Sequence, residues 1–182
     1  MLFFLPLLLL TALAVKLDSP GPVFFRQQRV GKWGKTFSCY KFRSMYVDAE
    51  LRKSDLLARN EADAVVFKIR KDPRVTRVGR IIRKFSIDEL PQLINVLKGD
   101  MSLVGPRPPV PLEVAQYEYD QYRRLDAVPG ITGLQQVSGR SQLPFKRWVE
   151  LDVQYIQEQS LRKDIGILLK TVPTVISGKG AY

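Results

Sequence analysis

The chain opens on an apolar run, Met1 to Val15, interrupted by one polar residue, Thr11, and one proline, Pro6. As a helix it reaches about 22 Å at ~1.5 Å per residue, short of the roughly 30 Å hydrocarbon core of a bilayer. Pro6 is expected to break or kink it. Three readings fit this run. One is a signal peptide ending at Ala12-Leu13-Ala14, although no Lys or Arg precedes the run as such a peptide requires. The second is a buried core helix, which would need cover on every face. The third is an anchor that dips into a membrane or lies on it, with Lys16, Arg26 and Arg29 following as a cytoplasmic flank. The third is carried forward.

Beyond it, Asp18-Ser-Pro-Gly-Pro22 is a turn cluster. Val23 to Arg29 and Thr36 to Met45 predict two strands joined through Gly31 and Gly34. Val47 to Ala62 predicts a charged surface helix, and Asp72-Pro73 a break. Arg74, Arg77, Arg80 and Arg83 then recur every third residue, with Val75, Val78, Ile81 and Ile82 between them. On a helix this makes a basic face, either solvated or in contact with lipid head groups or phosphate, and an apolar one. Ser86-Ile-Asp-Glu89 has the form of a capping box. Leu90, Leu93, Ile94 and Leu97 follow with helical spacing up to Gly99, so a helix is predicted to begin near Ser86, with Pro91 tolerated only close to its start. Leu112–Leu125, Pro144–Gln157 and Leu161–Ile176 predict three more helices, the last interrupted by Pro173. No internal repeat or linker divides the chain.

The 182 residues, 45% of them apolar, are enough for one domain with a core. Lys and Arg number 29 against 18 Asp and Glu, a net charge of +11. Such a protein attracts polyanions: nucleic acid, phosphorylated small molecules or an acidic lipid surface. There is no histidine, which removes Ser-His and Cys-His pairs and leaves Asp, Glu, Lys, Tyr or a metal-bound water as the base. Cys39 is the single cysteine, so an intrachain disulfide and a Cys-rich metal site are excluded. Gly31-Lys-Trp-Gly34-Lys35-Thr36 ends like a phosphate-binding P-loop, but Arg29 stands where the first glycine belongs, and ATP hydrolysis is not supported.

Asp88 and Glu89 hold the candidate chemistry. On a helix adjacent side chains diverge by about 100°, so the two cannot flank one scissile bond symmetrically. Distinct roles are expected: one attacks, the other binds metal or moves a proton. A purely structural role, Glu89 capping and Asp88 favouring the helix dipole, is the alternative. Arg83 lies five residues before. Arg107 sits in Gly105-Pro106-Arg107-Pro108-Pro109, whose stiff backbone lets its guanidinium grip a phosphate with little loss of entropy. Lys41, between Tyr40 and Phe42, is an anion-binding candidate or an exposed strand lysine. Pro129-Gly-Ile-Thr-Gly133 and Ser138-Gly-Arg140 are turns whose amides can face a ligand, or ordinary loops.

Several stretches carry a resemblance. They are Ser19-Pro-Gly-Pro-Val-Phe-Phe25, Tyr40-Lys-Phe-Arg-Ser-Met45, Ser86-Ile-Asp-Glu-Leu-Pro-Gln92, Asn95-Val-Leu-Lys-Gly-Asp-Met-Ser-Leu-Val-Gly-Pro-Arg-Pro108, Pro129 to Gly133, Ser138 to Arg140 and Glu150-Leu-Asp152. In this order the chain resembles the bacterial sugar transferases, the monotopic polyprenol-phosphate phosphoglycosyl transferases. The resemblance implies transfer of a sugar 1-phosphate from a UDP-sugar to undecaprenyl phosphate with release of UMP, an early membrane step of exopolysaccharide and lipopolysaccharide synthesis. It implies Asp88 as nucleophile, Glu89 as its partner, and Mg²⁺ bound at this pair. Phosphate-binding arginines fall on Arg83 and Arg107 and a family lysine on Lys41; Arg140 completes the expected substrate-binding set.

The implied setting is the cytoplasmic face of the bacterial inner membrane, at an acidic lipid surface. The fold expected is α+β and mostly helical. It is a single compact domain with a short β-hairpin and amphipathic surface helices. Residues 1–17 would form a re-entrant membrane helix that breaks at a proline, and residues 18–182 the catalytic domain. Leu5-Pro6 stands where the family usually has Ser-Pro, and only four residues precede it, so the membrane segment is expected to be truncated. Val128 and Leu134 replace an arginine and a tryptophan common beside the Pro-Gly-Ile-Thr-Gly turn, so donor contacts are expected to differ. Leu161 to Ile176 could serve a homodimer as well as a membrane. Nucleic acid is not an expected partner of such a transferase. The alternative is a non-catalytic basic protein on acidic membrane or nucleic acid, which leaves the Asp-Glu pair unexplained.

Overall fold

The computed structural model describes residues 5–61 and 65–181. Its first helix, α1 (Leu5–Asp18), continues past Pro6, which falls in the first described turn, where a proline removes no hydrogen bond of that helix. The half-helix expected ahead of Leu5 lies outside the described residues. One side of α1 is covered: Val15 is buried, and Leu8 and Ala12 pack with it against Phe42 and Ile82. Leu9, Leu10, Leu13 and Leu17 are exposed, which excludes the buried core helix. No described helix is long and apolar enough to cross a membrane.

The turn after α1 is held by Arg43, whose Nε donates to the Pro22 carbonyl (2.6 Å) and Nη2 to that of Ser19 (2.8 Å). The chain then enters an antiparallel hairpin of β1 (Phe24–Val30) and β2 (Thr36–Phe42), with Phe24 opposite Phe42 and Val30 opposite Thr36. The second strand stops before the predicted Met45, which makes only an isolated bridge to Val75. There the chain meets α2 (Arg77–Lys84), whose Thr76 cap accepts from the Gly79 amide (2.9 Å). A Cβ on Gly79 would lie 2.0 Å from the Ser44 carbonyl oxygen, so only glycine lets α2 approach this closely. Arg74 is not on the basic face. It precedes α2, buried in an ion pair with Asp72 (2.7 Å).

The predicted helix over 47–62 is a run of 3₁₀ turns, Leu51–Arg59, with no buried residue to support a longer helix; Ala62 lies outside the described residues. The segment Ile87–Gln92 is likewise 3₁₀, with Pro91 inside it, and regular α-helix begins only at α3 (Leu93–Leu97).

A second, parallel pair was not foreseen: β3 (Ser102–Val104) lies beside β4 (Gly130–Thr132). Each strand is three residues long, too short to show a period. The Gly130 amide donates to the Pro106 carbonyl and the Gly105 amide to that of Thr132, both at 2.9 Å. The amides of Gly105 and Gly130 are therefore spent on the fold. A Cβ on Gly130 would sit 2.0 Å from the Gly105 nitrogen, so both loops need their glycines for backbone contact.

The predicted helix over 112–125 is split into a short α4 (Pro111–Val114) and 3₁₀ turns over Tyr119–Leu125. Between them Tyr117 turns inward to join Val66, Phe145 and Trp148. Next come α5 (Leu134–Ser138), α6 (Phe145–Gln157) behind Pro144, and α7 (Leu161–Ser177). Pro173 does not interrupt α7. Leu169, whose carbonyl loses its donor, is exposed, so water can replace that bond. Asp152 of α6 is buried in an ion pair with Arg124 (2.7 Å), and Arg124 also donates to the Tyr117 hydroxyl.

Candidate active site

Ser86 does not cap a helix. Its backbone is left-handed at φ 53° and its hydroxyl takes no cap hydrogen bond. Glu89 does not reach back to it either; Lys41 Nζ donates to Glu89 Oε1 at 2.6 Å. The expected capping box therefore gives way to a sharp turn that drives Asp88 inward, where it is 7% exposed. Its carboxylate has no hydrogen-bond partner among the described residues.

Lys41 reaches Glu89 because β2 is riveted to α3 by Asn95, a fully buried amide. The Tyr40 amide donates to Asn95 Oδ1 (3.1 Å), and Asn95 Nδ2 donates to the Ser38 carbonyl (2.7 Å) and to Asp100 (3.2 Å). Ser38 and Tyr40 precede Lys41 on the strand, Tyr40 immediately. Arg107 Nη1 lies 3.8 Å from Glu89 Oε1, at the tip of the loop that β3 and β4 hold in place. Arg140 arrives from the far side. Its Nη2 donates to Ser86 Oγ at 3.4 Å, and its own backbone is left-handed at φ 51°. The Arg140 carbonyl is held there by Trp148 Nε1 and Gln135 Nε2, both at 3.1 Å. Two strained residues thus meet beside the acid pair, each held by packing from elsewhere. Arg83 comes from the last turn of α2, and its charge also acts on Asp88. All six residues singled out in the sequence converge: Lys41, Arg83, Asp88, Glu89, Arg107 and Arg140.

The two carboxylates are driven apart in acidity. Burial, and then the Glu89 charge, push Asp88 up to about 6, against the pull of Lys41, Arg83 and Arg107. Burial acts on Glu89 in the same direction, but Lys41 and Arg107 outweigh it and hold the group down at about 2. Neighbouring acids split this way take different roles. Lys41 and Arg107 thus favour the ionised form of Glu89. Asp88 is ionised at neutral pH yet more basic than an ordinary carboxylate, which suits a nucleophile. Burial lowers the Arg140 pKa, opposed by the nearby negative charges of Glu89 and Asp88. No three His, Cys, Asp or Glu side chains converge among the described residues. Two adjacent carboxylates suit only a cation that brings its remaining ligands along, as Mg²⁺ does with water and phosphate oxygens.

A family model described as bacterial sugar transferase matches residues 1–178. The chain belongs to that family. Curated relatives agree. The Galactosyl transferase CpsE of Streptococcus agalactiae is 56% identical over 162 residues, which is 88% of this chain and 36% of that protein. An Undecaprenyl-phosphate galactose phosphotransferase of Salmonella typhimurium is 51% identical over 167 residues, 89% of this chain and 35% of the other. A UDP-glucose:undecaprenyl-phosphate glucose-1-phosphate transferase of Caulobacter vibrioides is 45% identical over 187 residues, 98% of this chain and 66% of the other. The chain thus spans only about a third of the length of the first two.

In this member of the family, one residue of the site lies away from where its sequence position suggests. Arg29 is not a membrane flank; it is 8% exposed and lines a small cleft with Lys41, Glu89 and Arg107. Cys39, Gln92 and Gln136 border the same cleft. The only signal for Arg29 was its position on a strand next to buried Val30, and alternation alone does not say which of two neighbours turns inward.

Proposed function

We propose that the protein transfers a sugar 1-phosphate from a UDP-sugar to undecaprenyl phosphate, releasing UMP, in bacterial surface polysaccharide synthesis. The observation that carries this reading is the buried, unpartnered Asp88 carboxylate, enclosed by Lys41, Arg83, Arg107 and Arg140 beside Glu89, whose ionised form Lys41 and Arg107 favour. The relatives' names supply the donor and acceptor classes.

Asp88 attacks the phosphorus that bears the sugar. Its carboxylate oxygen forms a bond to phosphorus as the bond to UMP breaks, and UMP leaves with the electron pair. A phosphate oxygen of the lipid then attacks the same phosphorus, breaking the aspartyl bond and restoring the carboxylate. Arg107 and Lys41 bind and orient the donor phosphates; Arg83 and Arg140 neutralise charge developing around Asp88. Lys41 also keeps Glu89 ionised, and Glu89 in turn keeps Asp88 basic. Asp88 and Glu89 would hold Mg²⁺, which when bound neutralises the diphosphate and improves UMP as a leaving group. Splitting the reaction into two steps lets a water-soluble donor and a lipid acceptor use one site in turn. The setting is the cytoplasmic face of the membrane, with the exposed leucines of α1 and the apolar residues of α7 toward lipid or a second copy of the chain.

The test is transfer of label from a radiolabelled UDP-sugar to undecaprenyl phosphate in detergent, across a panel of sugars. Wild type is expected to make labelled lipid with at least one of them, and Asp88→Asn to lose at least about 10³-fold of that rate. Transfer by Asp88→Asn at the wild-type rate would remove Asp88 from the mechanism.

A further inference from the structure

The acid pair and its cations leave one buried charge without an assignment. Arg29 is 92% buried, from 8% exposure. Its Nη1 donates to the Pro108 carbonyl (2.8 Å) and its Nη2 to Gln27 Oε1 (2.6 Å). Its Nε is buried with no partner. The two oxygens it does bond are neutral, and no carboxylate forms an ion pair with it among the described residues. Glu113 and, more weakly, Glu89 act on it only at a distance: Glu113 accepts from the Val110 amide and Glu89 from Lys41. Arg107, a like charge, pushes in the same direction as burial to disfavour the charged form. A guanidinium sealed from water with no counter-ion is unstable unless something else supplies the anion.

Tying down the Pro108 loop accounts for only part of its bonding: Arg43 also ties down a turn through neutral oxygens, but its nitrogens find acceptors, whereas Arg29 keeps a buried Nε with none. One neutral donor would serve the Pro108 bond, and a full charge at this depth is the costly way to make it. The cleft itself points to a ligand. Three cations line it, Arg29, Lys41 and Arg107, against one carboxylate, Glu89. Gln136 borders the same cleft, and its carboxamide oxygen is also buried without a partner. A charged donor and a neutral acceptor are thus left unused in one small space.

We propose that Arg29 is the floor of a phosphate-binding subsite completed by Lys41 and Arg107, with a substrate phosphate oxygen as its missing counter-ion. That the phosphate belongs to a nucleotide donor or a lipid acceptor rests on the transferase reading; the subsite itself does not. Gln27 sets the charge balance of the subsite, because its carboxamide already bonds Arg29 where a carboxylate would neutralise it.

The experiment measures binding without turnover, on the full chain in detergent, by titration calorimetry with inorganic phosphate and pyrophosphate. Two variants are compared with wild type. Arg29→Gln removes the charge and keeps a donor for the Pro108 carbonyl. Gln27→Glu keeps Arg29 and supplies an internal counter-ion. Each is expected to weaken binding about tenfold or more, and Gln27→Glu is also expected to raise the melting temperature. A purely structural Arg29 predicts that rise with no change in affinity. If Arg29→Gln fails to fold, Gln27→Glu decides alone. Wild-type affinity in a folded variant overturns the subsite, as does a wild-type protein that binds neither anion at millimolar concentration. UMP and a short-chain polyprenyl phosphate then distinguish the two sources: the one whose affinity Gln27→Glu reduces occupies the floor. Neither being affected overturns the assignment. An inactive wild type that still binds phosphate through Arg29 would refute the transferase and leave the subsite standing.

Discussion

Asp88 sits where the fold would rather have a neutral group. Its carboxyl rises from the ordinary 3.8 to about 6 on folding. That difference weighs about 3 kcal/mol against the folded, ionised form. The sign follows from linkage: a carboxyl whose pKa is raised in the fold binds its proton more tightly there than in the unfolded chain. The penalty is therefore full above about pH 6 and fades as the pH falls toward 3.8. Asp88→Asn removes it. In metal-free buffer at pH 7.5 this variant is expected to melt several degrees above wild type, with the gap closing near pH 4.5. An equal or lower melting temperature at pH 7.5 would mean that burial of the charge is already compensated. For the nucleophile proposed here, such a cost would trade stability for reactivity.

At the scale of elements, the site is built by short pieces held through side chains. Asn95 shows this. It has no chemistry of its own, yet its three hydrogen bonds fix β2 beside α3 and so place Lys41 against Glu89. Asn95→Ala would leave the Tyr40 amide and the Ser38 carbonyl buried without partners, a loss of about 3 kcal/mol. In urea the unfolding midpoint should fall by a matching amount with unchanged slope. UMP release by the folded variant should drop about tenfold as Lys41 loses its register. A stable variant with full turnover would show that Lys41 is placed by other means.

Elements of this kind were only partly legible in the sequence. The hairpin, α2, α6 and α7 carry clear alternation or helical spacing, and they form close to where the pattern puts them. The acid pair was found for its residue types and its neighbouring arginines, not for its geometry. Ser86-Ile-Asp-Glu89 reads as a cap, but Lys41 competes for Glu89 from 48 residues away and wins. Arg74 reads as part of a basic stripe until Asp72 draws it inside. Such outcomes depend on long-range partners, which local spacing does not contain. The same holds for the parallel pairing of β3 with β4 and for buried Arg29.

Taken whole, the molecule separates its surfaces. The charged cleft lies between the hairpin, the Gly-Pro-Arg-Pro loop and the turn before α5. Exposed apolar side chains gather on α1 and α7, among them Leu9, Leu10, Leu13, Leu169, Val172 and Ile176. Both helices adjoin α2: α1 packs along it, and Gly178 after α7 lies against Lys84. Buried Arg124 and Asp152 join α6 to the 3₁₀ turns over Tyr119–Leu125. A net charge of +11 would draw the whole toward anionic lipid and phosphorylated substrates alike. This arrangement matters to the reaction only if the acid between those surfaces forms the bond assigned to it. Intact-protein mass spectrometry after rapid mixing with a UDP-sugar, without lipid acceptor and under conditions that preserve acyl phosphates, tests this directly. A mass increase of one sugar phosphate is expected, mapped to Asp88, matched by one equivalent of UMP and lost on adding undecaprenyl phosphate. Active protein that turns over but never carries that adduct would contradict it.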